Sequence, residues 1–171
     1  MTSIDATTLA RLFQEHHDSL YRYLARLSGD ADVAADAAQE VFVRLIERPP
    51  SNGVERAWLY KVGTNVVLEG SRTRTRRARL LDDSASRAPI ADPEPGAHER
   101  VERDERHRAV RLALDALSDK ERSALLMREE GFSHREIADA VGTTTGSVGT
   151  LLVRALDKLT AALPLDPEVL R

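Results

Sequence analysis

The chain has 171 residues, with 25 Lys+Arg against 28 Asp+Glu and a formal charge of −3, which excludes a bulk polycation that coats nucleic acid by charge alone. Its residues are 42% hydrophobic, 31% charged and only 4% aromatic, a mixture that suits helices packed through Ala, Leu and Val and argues against a β-sandwich. Cysteine is absent, so disulfide scaffolds, thiolate metal sites and cysteine nucleophiles are excluded; with no signal-peptide core and no window near the roughly 18 apolar residues of a membrane span, a cytoplasmic protein without membrane insertion is expected.

Leu9, Leu12, Phe13, His16, Leu20, Leu24 and Leu27 recur at three- and four-residue steps and predict a first helix ending at Gly29. Ala34, Ala37, Ala38, Val41, Phe42, Leu45 and Ile46 mark a second, with Asp30 or Asp32 as its N-cap and Pro49–Pro50 as its stop. A third runs from about Val54 to Arg79, with Trp58, Leu59, Val62 and Val66 as its buried side; Gly63 and Gly70 weaken it.

Residues 82–99 then hold one basic and five acidic side chains, three prolines and a glycine. Such a segment buries too little apolar surface to offset its ordering entropy and reads as a linker. The flanking blocks, 1–81 and 100–171, carry +2 and −1 against −4 for the linker. The expected fold is therefore all-α, with two small helical domains joined by an acidic flexible linker.

In the second block, residues 100–117 predict a charged amphipathic helix with Val101, Val110, Leu114 and Leu117 inward. Ser118–Glu121 and Ser133–Glu136 both have the S-x-x-E form of a capping box, so each opens a short helix. Gly131 and Gly142 stand where those helices should close. A longer helix follows Thr143–Thr145 and runs to Leu163, stopped by Pro164. Counting from His134, Ala138 is fifth, Gly142 ninth and Val148 fifteenth. That pattern supplies the small residue, the tight turn and the apolar plug of a helix-turn-helix, although an αα-hairpin in an ordinary bundle satisfies the same spacing.

At these residues the sequence resembles a family. The stretch from Leu114 to Leu159 resembles region four, the promoter-binding domain, of group IV (extracytoplasmic-function) sigma factors of bacterial RNA polymerase. DVAADAAQEVFVRLIER resembles the polymerase-binding helix of region two, and RAWLYKVGTNVVLEGSRTRTRR its promoter-melting helix. The resemblance implies that Asp36, Gln39 and Glu40 dock on a coiled coil of the largest polymerase subunit. Read from the residues alone, the same positions are also a solvated helix face with a favourable charge near its N-terminus.

Arg72, Arg74, Arg76, Arg77 and Arg79 place five cations in eight residues, able to fork phosphates and release counterions; a solvated helix end has the same composition. Asn65, Glu69 and Arg72 match the family's Asn-x-x-x-Asp-x-x-Arg spacing, with Glu69 in place of the Asp, and the resemblance assigns this helix to the edge of the minus-ten element. Trp58 and Tyr60 are candidate stacking partners for an unpaired base, although the family counterpart of Trp58 is a core residue. The loop Pro50-Ser51-Asn52-Gly53 corresponds to the pocket that takes a flipped-out base, with Asn52 as a base-edge reader.

In the recognition helix the family's usual cations are replaced by Gly149, Leu151 and Leu156, and Arg154 remains. Thr144, Thr145, Ser147 and Thr150 are candidate hydrogen-bonding groups, Val153 a candidate contact to a thymine methyl, and Arg154 the one candidate guanine reader. The acidic linker, through Asp82, Asp83, Asp92 and Glu94, suits a mimic of RNA in a basic channel as well as it suits a plain tether. The histidines have no metal-binding arrangement with carboxylates, and no phosphate loop or nucleophile elbow is present. Neither enzyme activity, nor a metal, nor a cofactor is expected. The implied partners are core RNA polymerase, promoter DNA and an anti-sigma protein; the competing reading is a sigma-like module whose region four contacts protein instead of the upstream element.

Overall fold

Aspartate caps open the first two helices and a glycine closes the first in the computed structural model, which describes residues 4–51, 55–81 (side chains to residue 71) and 108–163. Helix α1 (Ala6–Ser28) begins at Asp5, whose carboxylate accepts from the Thr8 amide at 2.9 Å and the Thr8 hydroxyl at 2.7 Å. Those bonds, the hydroxyl first, hold the Asp5 carboxyl below its ordinary pKa. The helix closes at Gly29, whose N–H donates to Ala25 O at 2.9 Å. Of the two candidate caps for α2 (Ala31–Glu47), Asp30 is the one used, accepting from the amides of Asp32 and Val33. Helix α3 spans Arg56–Leu81.

These three helices pack pairwise around one core. Leu12, Leu20, Leu24 and Leu27 of α1 are buried, as are Ala34, Ala37, Ala38, Val41 and Leu45 of α2. A cap contributes about 1 kcal/mol, whereas each buried leucine contributes about 1.5–3 kcal/mol. Packing therefore holds the helices, and the caps decide where they end.

Two faces differ from their sequence expectation. Phe13 and Ile46 fall on the apolar stripes by period but are 43% and 52% exposed. On α3 the fully buried positions are Leu59, Tyr60 and Thr64 together with nearly buried Val67, while Trp58, Val62 and Val66 are half-buried. The cause is Gly63: a Cβ there would meet Leu24 Cδ2 at 3.0 Å and Val41 Cγ2 at 3.3 Å, so the bare backbone lies against both neighbouring helices. Thr64 is admitted to the core because its hydroxyl meets Tyr23 Oη at 2.7 Å.

The described residues divide between two compact units, one built on α1–α3 and the other on α4 (helical residues 108–115), α5 (Asp119–Glu129) and α7 (Thr145–Ala162). In α4 the expected inward residue Val110 is 45% exposed, and Ala113 is buried, as is Leu117 just beyond the helix; Val101 lies outside the described residues. Ser118 and Glu121 form a complete capping box at the start of α5. Ser133 and Glu136 exchange the same bonds at the start of α6 (His134–Val141).

Helices α5 and α6 both end in a left-handed glycine, Gly131 at φ 87 and Gly142 at φ 65. The following amides, of Phe132 and Thr143, return to Met127 O at 3.1 Å and Ala138 O at 3.0 Å, the six-to-one bond of a Schellman closure. Phe132 and Met127 are both buried and supply the apolar contact that accompanies it.

Candidate nucleic-acid interface

The helix-turn-helix positions take the roles their residue types suggest. Ala138 and Val148 are buried, and Gly142 makes the left-handed turn between α6 and α7. Thr144 is the N-cap of α7: its Oγ1 accepts from the Ser147 amide at 3.3 Å, and the two hydroxyls lie 2.7 Å apart. Val148 and Ala155, fully buried, define the inner side of α7. Thr144, Thr145, Ser147, Thr150, Val153 and Arg154 are all exposed, so the six candidates gather on the solvent side of one helix and its cap. Leu156 is exposed as well, and Leu151 is half-buried.

Besides their packed apolar sides, an ion pair that no local pattern announces joins α7 to α5. Lys158 Nζ lies 2.9 and 2.8 Å from the two carboxylate oxygens of Glu121, which is nearly buried. The same carboxylate accepts the Ser118 amide at 2.8 Å, completing the capping box. Lys158 first, then that amide, outweigh burial and bring the Glu121 pKa down to about 2. Nearby, Arg122 donates Nε to Leu114 O at 2.9 Å and pairs with Asp115 at 3.2 Å, which fastens the end of α4 to α5. The capping-box spacing finds Glu121; its partner stands 37 residues away and carries no signal of its own.

On α3, Asn65 is half-buried and Glu69 exposed one turn further on. Arg72, Arg74, Arg76 and Arg77 continue the same helix, but their side chains lie outside the described residues, as does all of Asn52. Tyr60 is fully buried, with its ring 4.9 Å from that of Tyr23 and the Arg56 guanidinium 4.9 Å from its centroid. It therefore offers no free face to a base. Trp58 is half-buried, neither the core residue of the family pattern nor an open stacking platform.

On α2, Asp36 and Gln39 are exposed, whereas Glu40 is half-buried and bonded to Arg44 at 2.8 Å. Val43 and Ile46 extend the exposed side of Asp36 and Gln39 at helical spacing, giving a strip that is polar at one end and apolar at the other. Sequence reading missed this apolar half because period alone placed Ile46 inward. Among the described residues no group of three or more His, Asp or Glu is placed to hold a metal ion. No helix among them is long and apolar enough to cross a membrane.

Comparison with known proteins places both units. Residues 12–77 match sigma-70 region 2, and residues 107–159 match sigma-70 region 4. Over 153 residues the chain is 33% identical to the ECF RNA polymerase sigma factor SigE of Mycolicibacterium smegmatis, covering 86% of this chain and 58% of that protein. It is 34% identical over 154 residues to EcfG of Rhodopseudomonas palustris, covering 86% of this chain and 81% of that one. With SigL of Mycobacterium tuberculosis it shares 32% over 161 residues, 89% and 88% of the two chains. The chain thus spans little more than half of the first relative and most of the other two.

Among solved structures, the sigma factor RpoE from Bartonella quintana, crystallised with the anti-sigma factor NepR, shares the fold at a TM-score of 0.76 and 20% identity, covering 94% of this chain and 99% of that one. CnrH in complex with the cytosolic domain of CnrY follows at 0.65 and 19%, covering 92% and 88%. On the region matches and the relatives' identity, the chain belongs to the extracytoplasmic-function (ECF) family of RNA polymerase sigma factors.

Proposed function

We propose that this protein is a dissociable sigma factor that binds core RNA polymerase, recognises and melts promoter DNA, and leaves catalysis to the polymerase. The observation that carries this reading is the presence of sigma-70 region 2 and region 4 in one chain and in that order. Residues 1–81 form the polymerase-binding and melting domain, 82–99 an acidic linker, and 100–171 the upstream-element domain. Asp36 and Gln39, exposed on α2, supply the polymerase contact, with Glu40 held beside them by Arg44. Asn65, Glu69 and the arginines from Arg72 to Arg77 follow the minus-ten edge, with Asn52 at the flipped base. The exposed residues of α7 and its cap meet the upstream element.

The protein works in the cytoplasm, where the polymerase is, and an anti-sigma protein is its regulatory partner, as NepR is for the Bartonella quintana protein. The alternative of a sigma-like module whose region 4 contacts a protein partner instead of the upstream element is not favoured, because the relatives matched over most of both chains carry the name of RNA polymerase sigma factors. The test is transcription by purified core polymerase on a promoter library, with and without this protein. Specific transcripts that depend on it are expected. Core binding without transcripts from any promoter would sink the reading, and so would failure to bind core.

A further inference from the structure

Few groups on the outer side of α7 can hold DNA by charge, and internal bonding reduces them further. Lys158, one of its two cations, spends its charge on Glu121 at 2.8 Å. Arg154 is exposed and has no ion-pair partner among the described residues. The hydroxyls of Thr144 and Ser147 are engaged with each other at the cap. Thr145, Thr150 and Val153 remain, and the last two lie three residues apart and therefore on one face. Val153 is 58% exposed, so most of its branched side chain faces solvent. Gly146 and Gly149 stand one turn before Thr150 and Val153 respectively, and an added Cβ on either would meet nothing within 4 Å, so the surface on the N-terminal side of the two methyl-bearing side chains is low and open.

Each base edge in the major groove asks for a particular chemistry. Guanine presents two acceptors suited to an arginine or lysine fork, adenine an acceptor and donor suited to Asn or Gln, and thymine alone presents a methyl. Cytosine presents an amino donor suited to Asp or Glu, and the one carboxylate of α7, Asp157, lies a turn beyond Val153; residues 145–162 contain neither Asn nor Gln, and Arg154 is the single free fork. We infer that α7 is specific for thymine, with Thr150 and Val153 packing their methyls against the 5-methyl groups of adjacent thymines and Arg154 serving at most one guanine or phosphate. This rests on the reading of α7 as the upstream-element helix. The chain would then favour an upstream element rich in A·T pairs at the centre of the contact.

Deoxyuridine tests this directly, since it removes the methyl from thymine and leaves base pairing intact. The polymerase with this protein bound is first used to select promoters from a library randomised across the upstream element. Each thymine of the best promoter is then replaced singly by deoxyuridine. Selected elements should carry neighbouring thymines, and the contacted positions should lose about fourfold in transcription on replacement, the worth of one methyl removed from water. Val153→Ala should lose a similar factor on the thymine template and become indifferent to uracil at one position, and Thr150→Ser should do so at its neighbour. Both residues are exposed, so both variants retain the core of the unit. Selection of guanine runs, indifference of the natural protein to uracil at every position, or a full uracil penalty retained by both variants would each overturn the inference. Transcripts without any dependence on the upstream element would remove the role of α7 while leaving polymerase binding intact. No transcripts from any promoter would defeat the sigma reading and this inference together.

Discussion

Two glycines show how one substitution takes opposite signs according to what surrounds it. At Gly149, mid-helix in α7, an added Cβ meets nothing within 4 Å, so Gly149→Ala gains helix propensity without a packing cost. Thermal unfolding should show a gain of about 0.5–1 kcal/mol. At Gly63 the same methyl would meet Leu24 and Val41 at 3.0 and 3.3 Å, both fully buried and unable to withdraw freely. The propensity gain of about 1 kcal/mol is then outweighed by overpacking of about 1–3 kcal/mol, and Gly63→Ala should lower stability by roughly 1 kcal/mol. Ser123 is another anomaly: it is fully buried in α5, and its Oγ has no hydrogen-bond partner among the described residues. A buried hydroxyl left unpaired costs about 1–3 kcal/mol, so Ser123→Ala should raise the melting temperature of its unit. A fall would mean that the hydroxyl is satisfied in solution.

For the helices, the element that matters most is the α5–α7 pair, because Glu121 both caps α5 and anchors α7. Its carboxyl is lowered from 4.5 to about 2, so in the folded protein it holds its charge to lower pH than in the unfolded chain. The resulting stability is fully present above pH 4.5 and is lost as pH falls from 4.5 through about 2. Glu121→Gln keeps an acceptor for the Ser118 amide but gives up the charge facing Lys158. Amide exchange in α5 and α7 should therefore be faster in this variant at neutral pH, and the difference should shrink towards zero near pH 2. A gap that persists at that pH would show that the amide side chain fits badly and that the charge is secondary. Caps were legible in the sequence because they are local: Asp5 to Thr8, Ser118 to Glu121 and Ser133 to Glu136 all act within three residues. The buried side of α3 was not, because it depends on Gly63 meeting α1 and α2, and neither was the Glu121–Lys158 anchor. The exposed face of α7 proposed for the upstream element was readable since polar side chains and an apolar plug alternate along α7 at helical period. For the exposed strip on α2 proposed to meet the polymerase only the polar half was, because period alone places Ile46 inward whereas in the fold it is exposed.

Across the whole molecule, a formal charge of −3 conceals how its cations are distributed. Five arginines stand together from Arg72 to Arg79, whereas residues 133–163 hold three cations and three carboxylates. One of those cations, Lys158, is neutralised within its own unit. A protein so arranged gains little from counterion release in the upstream contact, because each neutralised phosphate adds only about 0.9 to the salt slope. Nonspecific binding by DNA-binding proteins typically has a Kd of about 10⁻⁴–10⁻⁶ M, and the upstream contact of this chain, taken apart from the arginines of 72–79, should fall at or below the weak end of that range. The free protein titrated into a labelled duplex carrying the upstream element alone, at about 0.15 M salt, should give no saturable binding in the micromolar range, and core polymerase added on the whole promoter should produce a stable complex. In that complex Arg154→Ala should reduce the slope of log K against log salt by no more than about 0.9, since α7 has no second free cation to lose. Micromolar binding of the upstream-element duplex by the free chain, or a larger fall in slope, would show that charge from outside α7 shares the upstream contact and that dependence on polymerase has another origin.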